Sequence, residues 1–432
     1  MGLAVTAQTD ADPRLPEKPR EPMRPVPTEL APIPERDRLQ ALDALRGIAL
    51  LGILLSNVSG FAGPLNELRE GIDPALRGSD RVLSAFVYVV VRDKFWTLFA
   101  LLFGMGFAVM LERARSAGRG FGAVYLRRSF GLLALGLIHA WLIWGGDILV
   151  TYALSAFALL ALRSLSLDFW LKLGLTLYLG TIGYMLIIAA ALTLPGVAEG
   201  DAADLAQAQA LRAAEVAAYA HGDYAAVTAQ RLQFFFESTI AGWSMMLPLS
   251  LGLFLIGASL VRGGVIADPA RYRWVLRALI VHGLPSGIVL TAISVAIDSA
   301  PSLALFSASS IFAQALHMLA GLPVALALIA AVVLLLHDGA RWPRAFAPAG
   351  RMALSNYLGQ SLIATWVLYH HGLNQWGRWS YTTLIVAALV LFAAQLAASA
   401  WWLRRFRFGP VEWLWRAFAY GRWPPLRVRD QA

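Results

Sequence analysis

From Leu42 onward the chain is a succession of apolar stretches, each close to the roughly 20 residues that a helix needs to cross a bilayer. No water reaches the hydrocarbon layer to satisfy an open backbone N–H or C=O, so stretches of this length fold as helices that meet their own hydrogen bonds. They fall at about 43–62, 84–111, 123–143, 147–162, 168–194, 240–261, 274–297, 307–337, 352–371 and 381–403. The second is interrupted by Arg92, Asp93 and Lys94, which points to a short amphipathic helix followed by a span from Phe95. The expected fold is all-α, a polytopic membrane helix bundle of about ten transmembrane helices.

Charge supports that reading. Of 432 residues 58% are hydrophobic and 15% charged, against about 25% charged in soluble proteins. The net charge of +9 is explained by loop arginines that fix topology, which removes the reason to invoke nucleic acid. Basic residues cluster in alternate loops: Arg14 to Arg38, Arg113 to Arg128, Arg262 to Arg277, Arg341 to Arg351, and Arg404 to Arg407. Acidic residues gather in the intervening segments, at Glu67 to Asp80 and Glu199 to Asp223. This alternation predicts a multi-pass membrane protein with both termini cytoplasmic.

Residues 1–40 carry eight of the 21 prolines and read as a disordered cytoplasmic tail. The bundle is expected over 41–408, with an outer helical segment at 198–238, and an interfacial helix and tail at 409–432. With no cysteine there is no disulfide, thiolate ligand or cysteine nucleophile. The histidines lack H-x3-H and HExxH spacing, so no metal is expected.

Ionisable groups inside the spans carry the functional signal, because each costs at least ~2.5–3.5 kcal/mol to insert. Asp43 and Arg46 share a face of the first helix. They are an anchoring ion pair at the surface or an anion-binding entrance. Asn57 lies about 16 Å further along by helical rise. Lys94 is a snorkelling anchor or a partner for Asp93 or Asp147. Gly104 and Gly106 fit close helix packing better than phosphate binding. His139 and Asp147 are separated by eight residues and a Gly145-Gly146 break. A fold-back there would let the carboxylate accept the Nδ1 proton and leave Nε2 as a general base. Arg351, Ser355, Asn356 and Gln360 open another span; they line a cavity or hydrogen-bond a neighbouring helix.

Five motifs carry a family resemblance: Leu42-Asp43-x-x-Arg46-Gly47 through Asn57, Lys94-Phe95-x-Thr97-Leu98-Phe99, His139 to Leu149, Gly350 to Tyr357, and Gly409 to Arg416. In this order they resemble the YeiB-like family of bacterial inner-membrane proteins. The first span is also similar to heparan-α-glucosaminide N-acetyltransferase. That resemblance implies a transmembrane acyltransferase-like fold, with Asn57 in the place of a functional asparagine. The histidine that closely follows this asparagine in the enzyme has no counterpart here before His139. The implied activity is transfer of an acyl group from cytoplasmic acetyl-CoA or another acyl-CoA to a hydroxyl or amine. The acceptor is a small molecule, glycan or lipid at or across the membrane. His139 would serve as base, Asp147 would orient it, and Asn57 would donate to the oxyanion. Asp43, Arg46, Lys94, Arg351, Ser355, Asn356 and Gln360 would bind substrate or CoA. No permanently bound cofactor is implied. A transporter of a small or lipidic molecule and a non-catalytic membrane component remain as alternatives. The expected partners are the lipid bilayer and that acceptor, not nucleic acid, and a homo-oligomer is left open.

Overall fold

The computed structural model describes residues 40–65, 71–73, 75–194, 202–297 and 307–428. The tail expected at 1–40 lies outside these, apart from Gln40. The described chain is helical throughout, save for turns and a single bridge between Phe406 and Arg427.

The helices are, in order, α1 (Gln40–Ala62), α2 (Gly78–Phe86), α3 (Lys94–Ser116), α4 (Gly122–Ile138) and α5 (Leu149–Ala161). Next come α6 (Leu167–Ala191), α7 (Ala202–Val216), α8 (Tyr224–Phe234), α9 (Ile240–Arg262) and α10 (Arg273–Ile297). The remainder are α11 (Ala308–His337), α12 (Ala347–Arg351), α13 (Ala353–Leu368), α14 (Tyr381–Leu403) and α15 (Pro410–Tyr420). Short π-type turns extend α2, α4 and α7, and another joins α8 to α9.

Among the described residues eight helical segments are long and apolar enough to cross a membrane, so the protein is a multi-pass bundle. Two of the ten expected spans are shorter. α5 has 13 residues and α13 has 16, about 20 and 24 Å by helical rise, against a hydrocarbon core of about 30 Å. Each is cut short where the backbone leaves the helix: α5 after the stretch 144–148, and α13 after Met352. A hydropathy run registers apolar composition and passes over such breaks. A third break lies at Arg92-Asp93, where Asp93 has φ 60°. There the expected short helix (α2) ends and α3 begins.

Glycine pairs set the closest approaches. A Cβ on Gly104 would overlap the carbonyl of Phe254, and one on Gly257 that of Leu101, so α3 and α9 pack backbone to backbone. Gly47 and Gly350 repeat this between α1 and α12. A Cβ on Gly350 would overlap the Asp43 carbonyl, and one on Gly47 the Phe346 carbonyl. The two motifs that contain Arg46 and Arg351 are therefore the two halves of one helix crossing. Close backbone contact through small residues is the usual way membrane helices associate, since lipid is as apolar as leucine.

Mutation of Gly350 to Ala is expected to destabilise the purified protein by about 1–3 kcal/mol, as overpacking does, seen as a lower thermal midpoint in detergent. A methyl group added at Gly180 on α6 would meet nothing within 4 Å, so Gly180→Ala is expected to leave the midpoint unchanged or raise it slightly. Equal responses at both sites would show that the crossing is not what constrains Gly350.

Candidate functional site

The three broken helices and α1 surround a cavity of about 440 Å³. One end is formed by Asp43 and Arg46 of α1, Arg128 of α4, Arg351 of α12, and Glu412 and Arg416 of α15. The other end carries Asn57, Arg92, Asp93, Asp147 and Gln314. The middle is apolar, with Leu50, Phe99, Phe103, Leu132, Tyr152 and Tyr357 among its walls.

Four arginines converge at the first end. Arg46 Nη1 donates to Asp43 Oδ1 at 2.9 Å, and its other terminal nitrogen would lie 3.3 Å from a Cβ on Gly106. Gly106 thus leaves room for the guanidinium, while Gly104 serves helix packing. Arg128 sits 3.6 Å above the Trp415 ring, and Arg416 4.8 Å from the Phe408 ring. Stacking on a ring face leaves the in-plane N–H groups available to an anion. Burial pushes the Arg416 guanidinium below its ordinary pKa, and the like charge of Arg46 adds to this.

Glu412 supplies the opposing charge, but its oxygens are committed. Oε1 accepts from the backbone N–H of Leu354 at 2.7 Å and of Ser355 at 2.9 Å. Oε2 accepts from the Ser355 hydroxyl at 2.5 Å. The carboxylate therefore caps the first turn of α13 from another helix, satisfying N–H groups that would otherwise be open. Gly409 has no room for a Cβ because Glu412 Oε2 fills that place. Burial raises the Glu412 pKa, while the hydrogen bonds from Ser355 and the backbone oppose the rise.

At the other end, His139 Nδ1 and Asp147 Oδ1 are 2.7 Å apart. Asp147 Oδ2 accepts the Val150 N–H at 2.8 Å, at the start of α5. The arrangement departs from the expected one in which group faces the cavity. His139 is fully buried and absent from the cavity wall, its Nε2 is buried without a partner, and Asp147 forms the wall. The fold-back turns the carboxylate inward and leaves the imidazole behind it.

Asn57, Asp147, Asp43, Arg46 and Arg351 thus meet around one cavity, whereas the other expected site residues stand apart from its wall. Lys94 is 2% exposed and its Nζ lies 2.9 Å from His317 Nε2; it contacts this imidazole instead of Asp147. Ser355 is held by Glu412. Asn356 Nδ2 donates to Ser399 at 3.0 Å, and Gln360 Nε2 to Gln395 at 2.9 Å, both on α14. Two amides one turn apart are matched by Gln395 and Ser399, also one turn apart, so this polar face joins two helices. Arg128, Glu412 and Arg416 are site residues that the sequence did not single out. The usable signal is the four-residue spacing of Glu412 and Arg416, which puts both on one face of α15.

Fold and site together define a multi-pass membrane protein whose broken helices enclose a cavity with a basic mouth and a carboxylate-bearing inner end. A model of the family described as "Protein of unknown function (DUF418)" matches residues 260–422. The chain is 30% identical over 425 residues to the uncharacterised protein YxaH of Bacillus subtilis, covering 94% of this chain and 100% of that one. It is 32% identical over 403 residues to the uncharacterised protein YeiB of Escherichia coli, covering 88% and 96%. The chain belongs to this YeiB-like family.

Because the folded-state pKa of Glu412 is raised, the folded protein holds its proton to higher pH than the unfolded chain does. Stability then falls as pH rises from the ordinary carboxyl range through the raised value, with slope set by the difference in bound protons. The Glu412→Gln variant is expected to lose this slope in thermal midpoints measured from pH 4.5 to 7. Glu412→Ala, which removes the cap altogether, is expected to cost about 1–2 kcal/mol throughout that range. Parallel pH profiles for wild type and Glu412→Gln would show that the carboxyl does not titrate in this window.

Proposed function

We propose that the protein is a membrane-embedded acyltransferase that uses acyl-CoA. The observation that carries this reading is one cavity joining four arginines to Asn57 and Asp147 through an apolar middle. A CoA-type donor has the matching order of parts: phosphates, a flexible arm, and a thioester. Arg46, Arg128, Arg351 and Arg416 bind the phosphates, since guanidinium groups match phosphate oxygens in charge and geometry. The thioester reaches the end where Asn57 and Asp147 stand. The basic mouth faces the cytoplasm of a bacterial inner membrane, in keeping with the arginine-rich loops on that side.

In this mechanism the acceptor's hydroxyl or amine gives its proton to Asp147 while its oxygen or nitrogen forms a bond to the acyl carbon. The C–S bond then breaks, and the proton passes from Asp147 to the departing thiolate, leaving free CoA and the acylated acceptor. The Asn57 amide donates to the oxygen that becomes negative at the tetrahedral stage. His139 holds the carboxylate from behind by its Nδ1–H. Removing such a general base typically costs about 10²–10⁴-fold.

A second reading has its own support. Helices are broken at both ends of the cavity, at Asp93, at 144–148 and at Met352, as in transporters that bind substrate between discontinuous helices. Transit of a small or lipidic molecule needs no base.

Envelopes containing the protein, supplied with radioactive acetyl-CoA, are expected to transfer label to an envelope component. Asp147→Asn is expected to lower that rate at least ~100-fold. The Arg46→Gln, Arg416→Gln double variant is expected to raise KM for acetyl-CoA about tenfold or more with little change in kcat, because it removes binding common to ground and transition states. Label transfer unchanged in Asp147→Asn would remove the proposed base. Absence of both transfer and CoA binding would favour the transit reading.

A further inference from the structure

The stretch that carries His139 and Asp147 is tied to a helix outside the cavity wall. α4 ends in a π-type turn over His139–Ile143, and Trp144 then leaves the helix in an extended conformation. The Leu142 carbonyl faces a chain that has turned away, so the N–H four residues on no longer meets it. Two donors from α8 take its place: Tyr224 Oη at 2.8 Å and Arg231 Nη1 at 2.8 Å. Arg231 is 1% exposed, with its guanidinium 5.7 Å from the Tyr224 ring and 5.6 Å from the Tyr369 ring. A cation at a helix C-terminus is favoured by the helix dipole, most of all where water is excluded.

Other contacts seat α8 and the turn before it. Phe234 lies against the position that a Cβ on Gly145 would occupy. Tyr219 stacks on Tyr369 at 4.7 Å, and its carbonyl accepts the His370 N–H at 3.0 Å. The chain that leaves the π-type turn then places the Trp144 indole on the Gly60 carbonyl at 3.2 Å and returns Asp147 to His139.

We infer that Arg231, with Tyr224, is a positioning residue for the His139–Asp147 pair, so that α8 is a required part of the site. The inference rests on the reading that this pair is the working group of the cavity. Arg231 touches neither the pair nor the cavity; it fixes the direction in which the chain leaves residue 142. Loss of its charge frees the break, and the 2.7 Å contact between imidazole and carboxylate is the geometry that depends on it.

The test uses the full-length protein in nanodiscs with ¹⁵N-enriched histidine. The His139 signal is assigned by its loss in His139→Gln. In wild type the Nδ1 proton shared with Asp147 is expected as a downfield resonance. In Arg231→Met that resonance is expected to shift or disappear, and Arg231→Lys is expected to retain part of it. An unchanged His139 signal in folded Arg231→Met would overturn the inference. Should Arg231→Met fail to fold, Tyr224→Phe decides: it removes one donor from Leu142, and is expected to shift the His139 signal, whereas no shift overturns the proposal. This readout needs no acyl-CoA. An absence of acyl transfer in wild type therefore counts against the proposed function alone. Where transfer is measured, Arg231→Met is expected to lower kcat about tenfold or more with KM unchanged, since misplacement of a reacting group acts on the chemical step.

Discussion

Inside hydrocarbon, an N–H or C=O without a partner costs several kcal/mol, so a helix cannot stop there unless something meets its open end. This chain stops helices inside the bundle and meets the ends with ionisable side chains. Asp147 receives the Val150 N–H at the start of α5. Glu412 receives the Leu354 and Ser355 N–H groups at the start of α13. Arg231 donates to the Leu142 carbonyl at the end of the π-type turn. Carboxylates stand at N-termini and the guanidinium at a C-terminus, each with the sign that the helix dipole favours.

The cavity follows from these terminations. Where α5 and α13 begin late, no helix among the described residues fills the space, and the carboxylates that cap them become part of the wall. Asp147 and Glu412 both face it. Their charges are therefore structural and cavity-forming together. Glu412 commits both oxygens to α13, so it offsets the four arginines only in part. Asp43 engages Arg46 through one oxygen. The mouth gathers four guanidinium groups, two of them stacked on Trp415 and Phe408, and on the proposed reading they receive an anionic group.

The ten apolar segments were legible because hydropathy reports what lipid tolerates, and every one of them is helical. Their lengths were less so: α5 and α13 are shorter than the apolar runs that contain them, since apolar residues such as Ile148 and Met352 stand in the breaks. The approach of His139 to Asp147 was signalled by Gly145-Gly146. Which of the two turns to the cavity is decided by the neighbours of α4, which an eight-residue spacing does not encode. Asn356 and Gln360 illustrate the same limit. A polar stripe on one helix can face a cavity or a complementary stripe, and only Gln395 and Ser399 on α14 settle the matter. Glu412 and Arg416 looked interfacial because Trp413, Leu414 and Trp415 surround them. α15 is short and amphipathic, and its polar side turns into the bundle instead of into water.

The two ends of the cavity are fixed by forces of different kinds. Gly47 and Gly350 hold the mouth by backbone contact, and such packing has steep repulsive walls that allow little displacement. The inner end is held through side-chain hydrogen bonds that cross from α8 to residue 142 and from Asp147 to α5. Hydrogen bonds are directional, so the geometry at this end depends on the side chains that make them. In the proposed reaction, a donor held at the mouth by its phosphates presents its reactive end where these side chains fix the direction of Asp147, so that both reacting groups are placed by the fold.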